Sequence, residues 1–271
     1  MNNYNAFKRV YLKYPAFAEL HIVVKLIMSA AVIFAVIVLS SCGESENTPA
    51  DISGSASDIS DTAVFAGNEY SDDAGSETLK YDRKVIDVPF ISQMPDFPTG
   101  CEGVSAVMVL RTAGVYTTPE LFFAKYLTIS DFPFDPDKSY CGDPGDDSGM
   151  GCYAPALAQG MNKALSSTSY EASVTNGLSM DKLCSIYIDN DIPVIIWASV
   201  DMSQLHIADT WEYNGKVIEW KSPEHCLVLV GYEKEYYIFN DPLTHKCKYY
   251  PRNSVISSYN MMGRQAVVVN N

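Results

Sequence analysis

The sequence predicts an α+β fold in which helices come first and strands later. Apolar residues recur at helical spacing between residues 101 and 190. After residue 192 the pattern changes to short apolar runs, without the regular strand–helix alternation of a parallel sheet. A chain of 271 residues, 47% of them hydrophobic and 12% aromatic, can build a globular core, and its 18 tyrosines suit half-buried strands.

In chain order, Lys84–Gln93 alternates loosely and reads as an entry strand, with Pro89 marking an edge or a bend. Met94–Gly100 is a loop that delivers the chain to a helix beginning at Cys101. Val104, Val107 and Met108 share one stripe of that helix, Leu110 flanks it, and Gly114 stops it. A thiol in the first turn meets free N–H groups and the positive end of the helix dipole, which favour its ionised, nucleophilic form. The same position also suits a cysteine that merely fills space as a small apolar residue. Thr118-Pro119-Glu120 starts a second helix through Tyr126, with Thr as N-cap and Pro at the first helical position.

Asp131–Gly151 is a long loop rich in Asp, Pro and Gly. Its Asp135, Asp137, Asp143, Asp146 and Asp147 do not follow the ligand spacing of an EF-hand, so no bound calcium is expected. Tyr153–Leu165 and Met180–Asn190 carry helical stripes. Ile192–Val200 reads as a central strand, and Asn214-Gly215 suits a type I′ hairpin turn. His225–Tyr232 and Tyr236–Phe239 are strands around the turn Glu233–Glu235. Ser254–Tyr259 is a last helical turn and Ala266–Val269 a closing strand.

The net charge of −14 leaves no basic face for nucleic acid. The acidity is uneven, because residues 43–79 hold nine acids and no Lys or Arg. Before them, Lys8, Arg9, Lys13 and Lys25 precede a 14-residue apolar run, Leu26–Leu39, too short for a comfortable span but suited to a signal-peptide core. The ending Leu39-Ser40-Ser41-Cys42 resembles a bacterial lipobox, which implies lipidation of Cys42 and export to the extracytoplasmic side of the membrane. The expected organisation is a signal peptide over 1–41, a lipidated cysteine and disordered acidic tether over 42–82, and a folded domain over 83–271. The tether composition is too poor in apolar residues to offset ordering entropy, and its reach is roughly 35 Å.

A histidine, His225, opens an apolar strand, and Asn240-Asp241-Pro242 closes the next one. If that hairpin centres on Lys234, residue 227 faces 241, and Asp241 becomes a same-face diagonal neighbour of His225. A one-residue slip would separate them. The spacing Cys101…His225…Asp241 is similar to that of papain-fold cysteine peptidases. More narrowly, Val88–Gln93, Pro98–Glu102, His225–Tyr232 and Asn240–Pro242 resemble the C39-like peptidase family, over roughly Val85 to Val269.

That resemblance implies a papain-like fold, with the N-terminal helices packed on a C-terminal antiparallel sheet. It also implies Cys101 as nucleophile, His225 as general base and acid, Asp241 as the orienting residue and Gln93 as an oxyanion-hole amide. No cofactor and no metal are expected. Family members that remove double-glycine leaders are commonly fused to transporter domains. No such span and no phosphate-binding loop occur here, so their substrate is not carried over. Glu102 works locally against a thiolate at Cys101.

Five further cysteines follow, Cys141, Cys152, Cys184, Cys226 and Cys247, and none has zinc-finger spacing. Cys141 and Cys152 flank a loop that a disulfide could staple, while Cys226 reads as a small core residue. His206 and His245 read as surface residues, with His245 the fallback base. The expected substrate is a peptide or protein at the cell surface. A peptidoglycan amidase or acyl transferase using the same residues, or a surface binding module with an idle site, are the alternatives.

Overall fold

The computed structural model describes residues 79–271, so the expected signal peptide, the lipidation site Cys42 and nearly all of the tether lie outside the described residues. The elements run β1 (Arg83–Val85), α1 (Cys101–Thr112), α2 (Pro119–Leu121, continuing into a π-turn over Phe122–Tyr126), β2 (Ile129–Ser130), β3 (Tyr140–Cys141), α3 (Ala154–Leu165), β4 (Glu171–Asn176) and α4 (Met180–Ile186). There follow β5 (Val194–Ser199), β6 (His206–Tyr213), β7 (Lys216–Ser222), β8 (Glu224–Glu233), β9 (Tyr236–Asn240), β10 (Lys248–Pro251), α5 (Arg252–Met261) and β11 (Gln265–Asn270).

Helix α1 is buried at every position from Cys101 to Leu110. A helix with no polar face cannot lie on a surface, and α1 sits inside the molecule against β8 and β5. Its end is closed by a Schellman arrangement around Gly114 at φ +80°. The Val115 N–H donates to Leu110 O at 2.9 Å and the Gly114 N–H to Arg111 O at 3.1 Å. Thr118 caps α2 as expected, its Oγ1 accepting from the Leu121 N–H at 3.3 Å.

The main sheet has seven antiparallel strands in the order β10-β9-β8-β5-β11-β4, with β1 pairing the far end of β8. The apolar runs occupy its centre: every residue of β5 is buried, as are eight consecutive residues of β8. Strands covered on both faces have no polar side to alternate with, which is why they read as continuous apolar runs. The missed strands of this sheet, β4 and β10, are its two edges, where polar and half-exposed residues weaken that signal.

Three further expectations are corrected. The entry strand spans only Arg83–Val85, because after one more bond from Ile86 N–H to Val230 O the chain leaves the sheet ahead of Pro89. The last helical turn is a ten-residue helix, α5. Cys141 and Cys152 are both free thiols; backbone bonds between Cys141 and residues 150–151 close the loop instead. The Asn214-Gly215 turn has φ +51° and +79°, as a type I′ hairpin requires.

The β6–β7 hairpin builds a second, smaller core. Trp211 and Trp220 pack with Phe134 of the long acidic loop, and Trp220 stacks on Tyr153 at 5.3 Å between ring centres. The Trp211 indole N–H donates to Phe134 O at 2.7 Å. The loop is thereby held as a wall rather than left as a solvated excursion.

Candidate active site

The turn Pro98–Gly100 leads into α1 so that Cys101 occupies the first helical position, with free backbone N–H groups around it. Its thiol is nearly buried; it donates to Glu102 Oε2 at 3.3 Å and accepts the Cys226 N–H at 3.4 Å. The expectation of a dipole-favoured thiolate is overturned in this state. Burial pushes the thiol up, the nearby carboxyls of Glu102 and Glu224 push it further, and the Cys226 N–H opposes them weakly.

The register of β8 against β9 brings His225 and Asp241 together. Val228 pairs with Asn240, one step before the expected 227/241 pair, and an irregularity near Val230 shifts the register only toward the turn. His225 Nε2 lies 2.8 Å from Asp241 Oδ1, both residues being buried. An ionised carboxylate only accepts, so Nε2 carries the proton and Nδ1 is left as the basic nitrogen. Asp241 also accepts from Tyr250 Oη at 2.7 Å, the Leu243 N–H at 3.0 Å and Lys248 Nζ at 3.4 Å. Burial alone would raise this carboxyl, but the His225, Tyr250 and Thr244 donors outweigh it and hold it well below the usual range.

Gln93 is placed by the loop that bears Asp241, since its N–H donates to Pro242 O at 2.8 Å. Its side chain is buried. Nε2 donates to Pro98 O at 2.8 Å, which leaves one amide N–H for a ligand, and Oε1 has no donor among the described residues. His206 and His245 are both exposed, as expected. Cys226 lies in the core as expected, fully buried beneath the site.

Sequence reasoning set Glu102 against the thiolate but missed its burial and its meeting with Glu224 beneath the thiol. Glu102 is fully buried, with Oε1 accepting the Cys152 N–H at 2.7 Å and Oε2 facing Cys101. Burial raises its carboxyl to about 7 against that hydrogen bonding, and Glu224, facing it, is pushed up by burial and by Glu102. Gly151 keeps this space open, since a β-carbon there would come within 2.4 Å of Glu102 Oε1 and 3.4 Å of Glu224 Oε2. The donor atoms of Cys101, Glu102 and Glu224 lie within 4.8 Å of one another, close enough to share a small cation as well as protons. The one signal available was adjacency, because these acids directly neighbour the cysteine and histidine in sequence. The missed Tyr250 lies on an edge strand with no motif to mark it.

Cys101, His225 and Gln93 line one cleft of about 390 Å³, together with Trp220, Pro223 and Asp147 to Met150 of the acidic loop. Thr99 anchors that loop, its Oγ1 donating toward Asp146 O at 2.9 Å. The other loop acids are engaged locally. Asp135 and Asp137 meet Lys216, Asp135 also meets Lys138, and Asp143 and Asp146 accept from nearby backbone N–H groups.

Comparison with known proteins agrees with this architecture. Residues 85–267 match the model of the Peptidase_C39 like family. Uncharacterized protein YvpB of Bacillus subtilis strain 168 is 28% identical over 200 residues, which cover 70% of this chain and 78% of YvpB. The crystal structure of a proposed C39-like peptidase from Bacillus anthracis superposes with a TM-score of 0.63 at 30% identity, covering 69% of this chain and 98% of that one. A match spanning two thirds of the sequence, on a sheet and buried helix of this arrangement, makes the chain a member of the C39-like peptidase family with a papain-like fold.

Proposed function

We propose that the chain is a cysteine peptidase that hydrolyses peptide bonds through Cys101, His225 and Asp241. The observation that carries this reading is the buried His225–Asp241 pair, 2.8 Å apart, in the same cleft as a cysteine at a helix start. With Nε2 held by Asp241, Nδ1 of His225 takes the Cys101 proton as sulfur attacks the substrate carbonyl. The Cys101 N–H and the second Gln93 amide N–H receive the oxyanion. His225 then returns the proton to the leaving amine, and water, deprotonated by the same imidazole, releases the acid and restores the thiol. The sequence signals over 1–42 extend the reading to an exported lipoprotein, tethered through Cys42 and acting on peptides at the cell surface.

The test is a cleavage screen of peptide libraries alongside cell-wall fragments. Cys101→Ala and His225→Ala are each expected to lower cleavage by about 10³-fold or more. Cleavage of wall fragments alone assigns an amidase instead. One observation favours an idle binding module: the thiol bonds to Glu102 and to no atom of His225. Failure to cleave either class, with Cys101 alkylated no faster than a free thiol peptide, selects that module.

A further inference from the structure

Resting on that reading of the cleft, we propose that it selects peptides carrying a lysine or arginine side chain next to the scissile amide, with Glu224 as the anionic partner of the cation and Asp147 as a second carboxylate at the rim. The cleft holds buried acceptors that lack partners among the described residues. Two such acceptors line it and meet no donor there, Gln93 Oε1, in a residue only 2% exposed, and Glu224 Oε1, while the exposed Asp147 stands at the rim. Buried acceptors without donors are costly, and a ligand bearing several N–H groups satisfies them together.

Charge points the same way. Asp147 and Glu224 line the cleft, Glu102 lies beneath it, and no Lys or Arg among the described residues lines it. The basic side chain that does line it, His225, is held by Asp241 through Nε2. Asp147 is also unlike its neighbours, because Asp143 and Asp146 spend their carboxylates on turns of their own loop. Thr99 ties that loop to the start of α1, which keeps the exposed Asp147 at the edge of the thiol's cleft. Trp220 adds an aromatic wall, a surface that favours the alkyl stem and charge of a cationic side chain. Burial and Glu102 raise the Glu224 carboxyl, so it keeps its proton in the empty cleft and gives it up when a ligand cation arrives beside it.

The experiment uses the full chain carrying Cys101→Ala, titrated by calorimetry with two peptide pools that differ only in lysine against norleucine. The lysine pool is expected to bind roughly tenfold more tightly, and Glu224→Gln to reduce that preference to about threefold or less. Asp147→Asn, an exposed substitution that leaves the core intact, is expected to reduce it by a smaller factor. Equal binding of the pools, no binding of either, or a preference unchanged in both variants overturns the proposal. Cleavage of the same pools by the unsubstituted chain separates this from the peptidase reading. Binding with lysine preference but no cleavage sinks the peptidase and keeps the cation site, whereas cleavage without preference does the reverse.

Discussion

His225 presents one basic nitrogen only because Asp241 holds the other, and Asp241 can do so because three further donors keep it ionised. Asp241→Asn leaves the shape but removes the charge that fixes the tautomer, so cleavage is expected to fall by roughly 10²–10⁴-fold, measured as kcat/KM on a cleaved peptide. Tyr250→Phe removes one donor of that set, and a loss of about tenfold or less is expected in the same assay. At Cys101 the balance is electrostatic. Two buried carboxyls face the thiol, so Glu102→Gln is expected to lower the pH of half-maximal Cys101 alkylation by about one pH unit, read by mass spectrometry at that residue. An unchanged alkylation profile would show that Glu102 does not govern the thiol.

Helix α1 does two jobs that its composition makes compatible. Its buried flanks hold the layers together, and its first turn presents the cysteine. Close packing sets the tolerance: a β-carbon on Gly103 would meet the Phe123 ring at 2.3 Å, and that ring is itself packed against Phe97, Phe122 and Tyr140. Gly103→Ala is therefore expected to destabilise the domain by about 1–3 kcal/mol, measured by denaturant unfolding, because the ring cluster must move to admit one methyl group. The long strand β8 works similarly. It pairs with β5 along one half and β1 along the other, with β9 opposite, so the strand that carries His225 is braced on both sides.

Across the whole domain, the site acids act on stability with opposite signs. Asp241 is held below its unfolded value, so its contribution is present above the ordinary carboxylate range and lost as pH falls through its folded value. Glu102 is raised to about 7, so the folded state binds its proton more tightly than the unfolded chain does. The stability owed to it is full below the usual carboxylate value and declines as pH rises toward about 7. Thermal unfolding followed from pH 5 to 8 is expected to show this decline, and Glu102→Gln to flatten it. An equally steep decline in the variant would remove the buried acids as its cause. At the scale of the cell, the proposed lipid tether predicts that Cys42→Ser leaves the membrane fraction, read by fractionation and immunoblot, and an unchanged distribution would refute lipidation at that residue.

The fold class, the central strands, the buried helix and its glycine stop were legible because each depends on local pattern: helical or strand period, apolar runs, turn and cap residues. Cys101, His225 and Asp241 were legible because a hairpin register and a family resemblance linked separated motifs. The edge strands β4 and β10 escaped because half-exposed polar segments bear no strong period. The Glu102–Glu224 pair escaped for a different reason. Residues 122 positions apart in the chain meet only when α1 docks on β8. The same docking, and not helix position alone, sets the proton affinity of the Cys101 thiol, because burial and neighbouring charge act through space and outweigh the local dipole that sequence could reveal.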